Sequence, residues 1–144
     1  MSQLPITYRG VVYPWHCDHM NHMNVMWYVG KFDEATWNLL ELLGMTPSVL
    51  REKGLCMVAV KQEISYQREC VAGDTITIRS GVIEIREKSV RFFHEMTKND
   101  SGELAAVTIL TGVQIDATTR KSRPFEDEVR AHGLSLVTDC VPNI

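Results

Sequence analysis

His16, Cys17, Asp18, His19, Asn21, His22 and Asn24 all fall within the ten residues "WHCDHMNHMN" that run from Trp15 to Asn24. Side chains of these types exchange protons, ligate metals or hydrogen-bond backbone amides, so the segment is the first place to look for chemistry. The histidines recur at every third position, and on one helix face they could supply part of a Zn²⁺ set. Pro14 and the two asparagines oppose a continuous helix there, and no second cluster offers a fourth ligand in an obvious spacing. No metal is therefore expected.

The neighbours of the segment suggest different chemistry. It leaves a short strand, "ITYRGVVYPW", which Pro14 ends, and it enters a long helix. Asn24, with Asn21 as the second choice, suits the N-cap of that helix. The amides of Val25 and Met26 are then unpaired donors at the positive end of a helix dipole, placed to hold charge developing on a carbonyl oxygen. Asp18, six residues before that cap, can fold back over the same spot. A carboxylate facing an electrophilic carbonyl activates water or attacks directly. A thioester suits such modest equipment, because a thiolate with a parent pKa of about 8.5 departs with little acid assistance. No GxSxG nucleophile elbow is present.

The rest of the chain must position these groups. Val25, Tyr28, Val29, Phe32, Ala35, Leu39, Leu40 and Leu43 recur at helical steps, with Lys31, Glu34, Asn38 and Glu41 opposite and Gly44 as the C-terminal stop. From Cys56 to Asp116 the pattern is strand. Turns are expected at "VAGDT" and "KNDSGE". Ile76 and Ile78 differ in parity from Ile83 and Ile85, so a β-bulge is expected at Gly81. "SRPFEDEVRAHG" suits one or two further helical turns, with Pro124 near their start. One amphipathic helix against a large antiparallel sheet is an α+β layer solution, and a curved sheet wrapped around a single long helix is the hotdog fold. The expectation is one hotdog domain spanning residues 1–144.

Bulk properties fit that picture. The 144 residues are 44% hydrophobic and 23% charged, enough for a core without staples. A formal charge of −3 argues against a nucleic-acid surface. No apolar run approaches the ~18 residues that span a bilayer, so no membrane partner is expected. Four scattered cysteines without a CxxC pair, and an N-terminus without an apolar leader, point to reduced thiols in a cytoplasmic protein.

The run "D-x-x-x-H-M-N-V-x-x-Y" from Asp18 to Tyr28, followed by "FDEA", resembles the start of the central helix in hotdog acyl-CoA thioesterases. The 4-hydroxybenzoyl-CoA thioesterase-like family is the group it is most similar to. The likeness extends through "YQRECVAGDTITI", "REKSVRFFHEM" and "LAAVTILTGVQIDATTRKSRP". The resemblance implies Asp18 as catalytic carboxylate and the Val25 amide as the donor to the thioester carbonyl. It implies that His22 and Asn24 shape the turn and that Tyr28 is the aromatic one turn into the helix. Arg86, Lys88 and Ser89 lie where the family contacts CoA phosphates, as cations suit phosphate oxygens. Many relatives carry Gly at the position of Asn21, where Asn tolerates φ > 0 but places a side chain near the acyl group. Related sub-families use a carboxylate on the central helix, which makes Glu34 a reserve candidate. No cofactor is implied.

Each residue also has a plainer reading. Asp18 can simply bond its own turn, His22 can orient the loop, and His16 and His19 are read as inert. Trp15, Trp27, Trp37, Met20, Met23 and Met26 are read as core or interface rather than acyl pocket. Glu63 and Arg68 are read as a solvated or subunit-facing pair, and Cys17 is the one thiol worth testing for reactivity. A sheet around one helix leaves a strand edge and a helix flank open, which favours symmetric pairing. The resemblance implies a homodimer or homotetramer with the site at the subunit boundary. The reading is an acyl-CoA thioesterase; the alternative is a hotdog protein that binds an acyl-CoA or acyl carrier without cleaving it.

Overall fold

The computed structural model describes residues 3–144. In chain order the elements are β1 (Ile6–Val11), a 3₁₀ turn (Pro14–His16), α1 (Val25–Leu42), α2 (Pro47–Lys53), β2 (Leu55–Tyr66), β3 (Thr75–Ile85), β4 (Ser89–Lys98), β5 (Leu104–Asp116) and α3 (Asp127–Ser135). The strands form one antiparallel sheet in the order β1-β3-β4-β5-β2, against which α1 packs. This is the hotdog arrangement expected from the sequence. The four strands after α1 are consecutive in the chain, yet β2 pairs with β5 and β3 reaches across to β1.

α1 forms because its buried residues Tyr28, Phe32, Ala35, Leu39 and Leu40 share one stripe, and it stops where Gly44 takes φ +87°. At 18 residues it is about 27 Å long. Its two halves pack into separate clusters. Tyr28, Phe32 and Ala35 meet Ile76, Ile78 and Met96, while Leu39, Leu40 and Leu43 meet Val82, Phe92 and Leu110. Each fully buried Phe or Leu contributes roughly 1.5–3 kcal/mol.

Three expectations are corrected. Val25 and Val29 belong to the apolar stripe by spacing but are exposed, because the neighbouring stretch of β2 leaves their flank uncovered. Lys31, placed on the polar side, is only 3% exposed: its ammonium donates to Tyr8 Oη at 3.1 Å and lies 5.3 Å from that ring's centroid. The bulge falls at Ile83 rather than Gly81, since Val82 faces Phe92 and Glu84 faces Arg91. Gly81 has another cause: a Cβ there would stand 2.7 Å from the Phe93 ring. A second helix, α2, was not expected from the periodicity. Thr46 caps it through Val49 N–H, Pro47 occupies its first turn, and Gly54 closes it at φ +65°.

A polar chain is buried in this core. Thr36 Oγ1 donates to Phe32 O at 3.1 Å, so His94 Nε2–H donates to Thr36 at 2.8 Å, and His94 Nδ1 accepts from Ser80, which accepts from Thr7 at 2.7 Å. The Thr7 proton is shared between Ser80 Oγ and the more distant Ile78 O at 3.4 Å, and the neutral imidazole is satisfied. Burial pushes His94 down to about 3. The unfolded chain therefore takes up this proton near pH 6.5 while the folded chain refuses it. Stability contributed by neutral His94 is complete above pH 6.5 and falls by roughly 1.4 kcal/mol per unit as pH drops toward 3. Urea midpoints at pH 7, 6, 5 and 4 check this, and His94→Gln is expected to give a flatter profile between pH 6 and 4.

Candidate active site

Residues 17–23 make a miniature hairpin before α1. A bridge joins Cys17 to Met23, Asp18 N–H donates to His22 O, and Asn21 N–H donates to Asp18 O. Asn21 sits at φ +67°, the left-handed conformation that a short polar side chain tolerates. Two longer bonds anchor the hairpin: Met23 N–H to Cys70 O at 2.7 Å and Asn24 N–H to His16 O at 2.9 Å.

Asn24 is the N-cap of α1. Its Oδ1 accepts Met26 N–H at 2.9 Å, and its Nδ2 donates to Asp18 Oδ2 at 2.8 Å. Asp18 Oδ1 accepts Met20 N–H at 2.9 Å. The Asn24 amide, followed by the Met20 N–H, holds the Asp18 carboxyl below its ordinary range, so it is an anion at neutral pH. Trp27 N–H is taken by Asn24 O. Met26 therefore does not offer the free amide expected of it. Among the described residues, Val25 N–H has no hydrogen-bond partner, and it stands at the positive end of α1.

Beside Val25 opens a cleft of about 600 Å³ lined by His22, Met23, Val25, Tyr28 and the segment Tyr66–Glu69. Tyr28 donates its phenol proton to Arg68 O at 3.2 Å, and burial, reinforced by Cys70, pushes its pKa up. It meets Tyr66 edge-on at 5.2 Å. His22 Nε2 lies 3.7 Å from Glu69 Oε1, with Nδ1 facing Met23 O. Asp18 does not wall this cleft; Asn24 connects it to the helix start that does.

The structure thus groups Asp18, His22, Asn24, Val25 and Tyr28. Asn21 is exposed, in its left-handed turn, and does not line this cleft. Arg86, Lys88 and Ser89 are not brought to this site within one chain. They form the β3–β4 turn, with Arg86 N–H bonded to Ser89 O, and the flanking Ile85 and Val90 pack with Leu39–Leu43 at the far end of α1. That end lies roughly 20 Å away along the axis. The supposed Glu63–Arg68 pair does not exist: Arg68 binds Glu103 at 2.8 Å, and Glu63 faces Lys61. Trp15, Met20, Met26 and Trp37 are exposed, whereas Met23 is buried. Sequence reasoning missed Tyr66, Gln67 and Glu69, which become neighbours of Val25 only because β2 runs back along α1.

Residues 12–133 match the model of the thioesterase-like superfamily, and the chain belongs to that family. It is 30% identical over 128 residues to the long-chain acyl-CoA thioesterase FadM of Escherichia coli (strain K12), covering 89% of this chain and 93% of that protein. It is 24% identical over 131 residues to a betainyl-CoA thioesterase of Pseudomonas aeruginosa, covering 91% and 82%. The fold matches that of SAV2348 from Staphylococcus aureus, solved in complex with CoA, with a TM-score of 0.88 at 20% identity over 99% of this chain and 92% of that one.

Replacing Asn24 with Ala removes a cap and is expected to cost about 1 kcal/mol of stability. The same change removes the leading cause of the low Asp18 pKa. A ¹³C carboxyl titration should show the Asp18 midpoint moving up toward the ordinary carboxylate range.

Proposed function

We propose that this chain hydrolyses acyl-CoA thioesters to a carboxylic acid and CoA. The supporting observation is the pairing of a free Val25 N–H at the head of α1 with an anionic carboxylate, Asp18, tied to the same cap. The thioester carbonyl lies over the head of α1, at the edge of the cleft toward Asp18, with its oxygen on Val25 N–H. Asp18 takes a proton from attacking water, or adds to the carbonyl itself to give an acyl-Asp18 anhydride that water then hydrolyses, and in either case the amide holds the oxyanion until the CoA thiolate leaves. His22 and Asn24 hold the turn, and Tyr28 supplies a neutral wall.

The working unit in this reading is a homodimer or a pair of dimers. Residues Ala59–Glu63 of edge strand β2 are exposed, with Val60 unpaired at a bulge and 60% exposed. Beside it, Val25, Val29 and Trp37 leave an apolar flank of α1 open. Pairing through this edge covers both, closes the cleft and lets the Arg86–Ser89 turn of a partner subunit reach CoA phosphates that its own chain's turn does not.

Asp18→Asn preserves the hydrogen bond from Asn24 while removing the base, and kcat should fall about 10²–10⁴-fold with unchanged circular dichroism. Thiol release from a panel of acyl-CoAs measures it; an undiminished rate removes Asp18 from the mechanism. Binding of the panel without any thiol release by the parent protein would instead make this a non-hydrolytic acyl-CoA binder. In sedimentation, the parent should run at a multiple of the 16.4 kDa chain mass, and Val60→Lys should shift it toward monomer with loss of activity.

A further inference from the structure

A second groove of about 1040 Å³ lies between β1 and a different flank of α1, and it shares no lining residue with the cleft beside Val25. Lys31 lies in it. The residue is 3% exposed and donates to the phenol oxygen of Tyr8. Among the described residues no carboxylate pairs with it. A buried ammonium without an ion pair is costly, and an anion bonded to it relieves that cost. Gly10 is required for this arrangement, because a Cβ there would run into the Tyr8 ring.

His16 adds a second donor. Its Nδ1 accepts Tyr13 N–H at 2.9 Å, which fixes the proton on Nε2, and that N–H has no partner among the described residues. Burial first, and then the nearby Lys31 charge, lower the His16 pKa, so the ring presents one neutral donor to the groove. The walls are flat and aromatic. Tyr13 and Trp15 stack at 4.5 Å with an 8° tilt, Trp15 is 66% exposed, and the Trp27 ring lies 4.5 Å from His16. Glu34, exposed on the rim, opposes a second negative charge on any occupant.

We propose that this groove binds a small aromatic monocarboxylate. Its carboxylate takes hydrogen bonds from Lys31 Nζ and His16 Nε2–H, and its ring lies against the Tyr13–Trp15 stack and Trp27. The site is independent of the proposed hydrolysis, so binding is the readout.

Calorimetric titration of the full chain with 2-naphthoate should give saturable binding at one site per chain. Lys31→Met, which keeps the apolar stem, and Trp15→Ala should each weaken it by at least about ten-fold. Lys31→Arg should stay within a few-fold of the parent, which separates lost charge from lost fold. Uncharged 2-naphthalenemethanol should bind more weakly than the acid, as should inorganic phosphate and AMP. The proposal is overturned if the parent shows no saturable heat for 2-naphthoate, if Lys31→Met binds as tightly, or if phosphate or AMP binds better. It is equally overturned if Trp15→Ala lowers the assembly mass, because the groove is then a contact between copies of the chain.

Discussion

The carboxamide of Asn24 bonds in two directions at once, and the candidate site depends on it. Its oxygen takes the Met26 amide, which fixes where α1 begins, and its nitrogen holds one oxygen of Asp18. By occupying the second helical amide and leaving the first free, the cap selects Val25 as the exposed donor. The same side chain lowers the Asp18 pKa through its hydrogen bond. The cap, the Asp18 carboxylate and the free Val25 amide therefore share one hydrogen-bonded unit. Bonds from Asn24 N–H to His16 O and from Met23 N–H to Cys70 O fasten that unit to the 3₁₀ turn and to the segment before β3.

The helix holds this unit over the sheet because its halves are gripped separately. The N-terminal half sinks Phe32 against Ile76, Ile78 and Met96, and the C-terminal half sinks Leu39 and Leu43 among Val82, Phe92 and Leu110. Between the clusters, Thr36 and His94 link helix and sheet through hydrogen bonds as well as packing. A polar chain in a core adds directional constraint that apolar contacts lack, provided every member is satisfied. Along β2 the grip ends, and the strand's middle and the valines at positions 25 and 29 of α1 are exposed.

The two flanks of α1 carry opposite chemistry. On the β2 side the free Val25 amide opens onto a cleft, with the Asp18 carboxylate tied to the same helix start through Asn24. On the β1 side Lys31, with no carboxylate partner among the described residues, and the His16 Nε2–H face an aromatic groove. Residues 30 and 31 separate from Val25 and Tyr28 by less than two helical turns, so one rod divides the two environments.

Much of this was legible in the chain itself. The 3.6-residue period of Tyr28, Phe32, Ala35 and Leu39, the Asn24 cap, the Gly44 stop and the tolerance of Asn21 for a left-handed turn are matters of stereochemistry within a few residues. The signals of α2 were present too, as Thr46, Pro47 and Gly54, but a seven-residue helix has too short a period to announce itself. Long-range pairing decided the rest. Only the sheet order brings Tyr66–Glu69 to Val25, carries the Arg86 turn to the far end of α1, and turns Lys31 inward onto Tyr8. The sequence determined which groups could do chemistry and how each sits on its own element, because those properties are set by bonds a few residues long. The tertiary structure decided which of them meet, because strands distant in the chain must pair before any such neighbour exists.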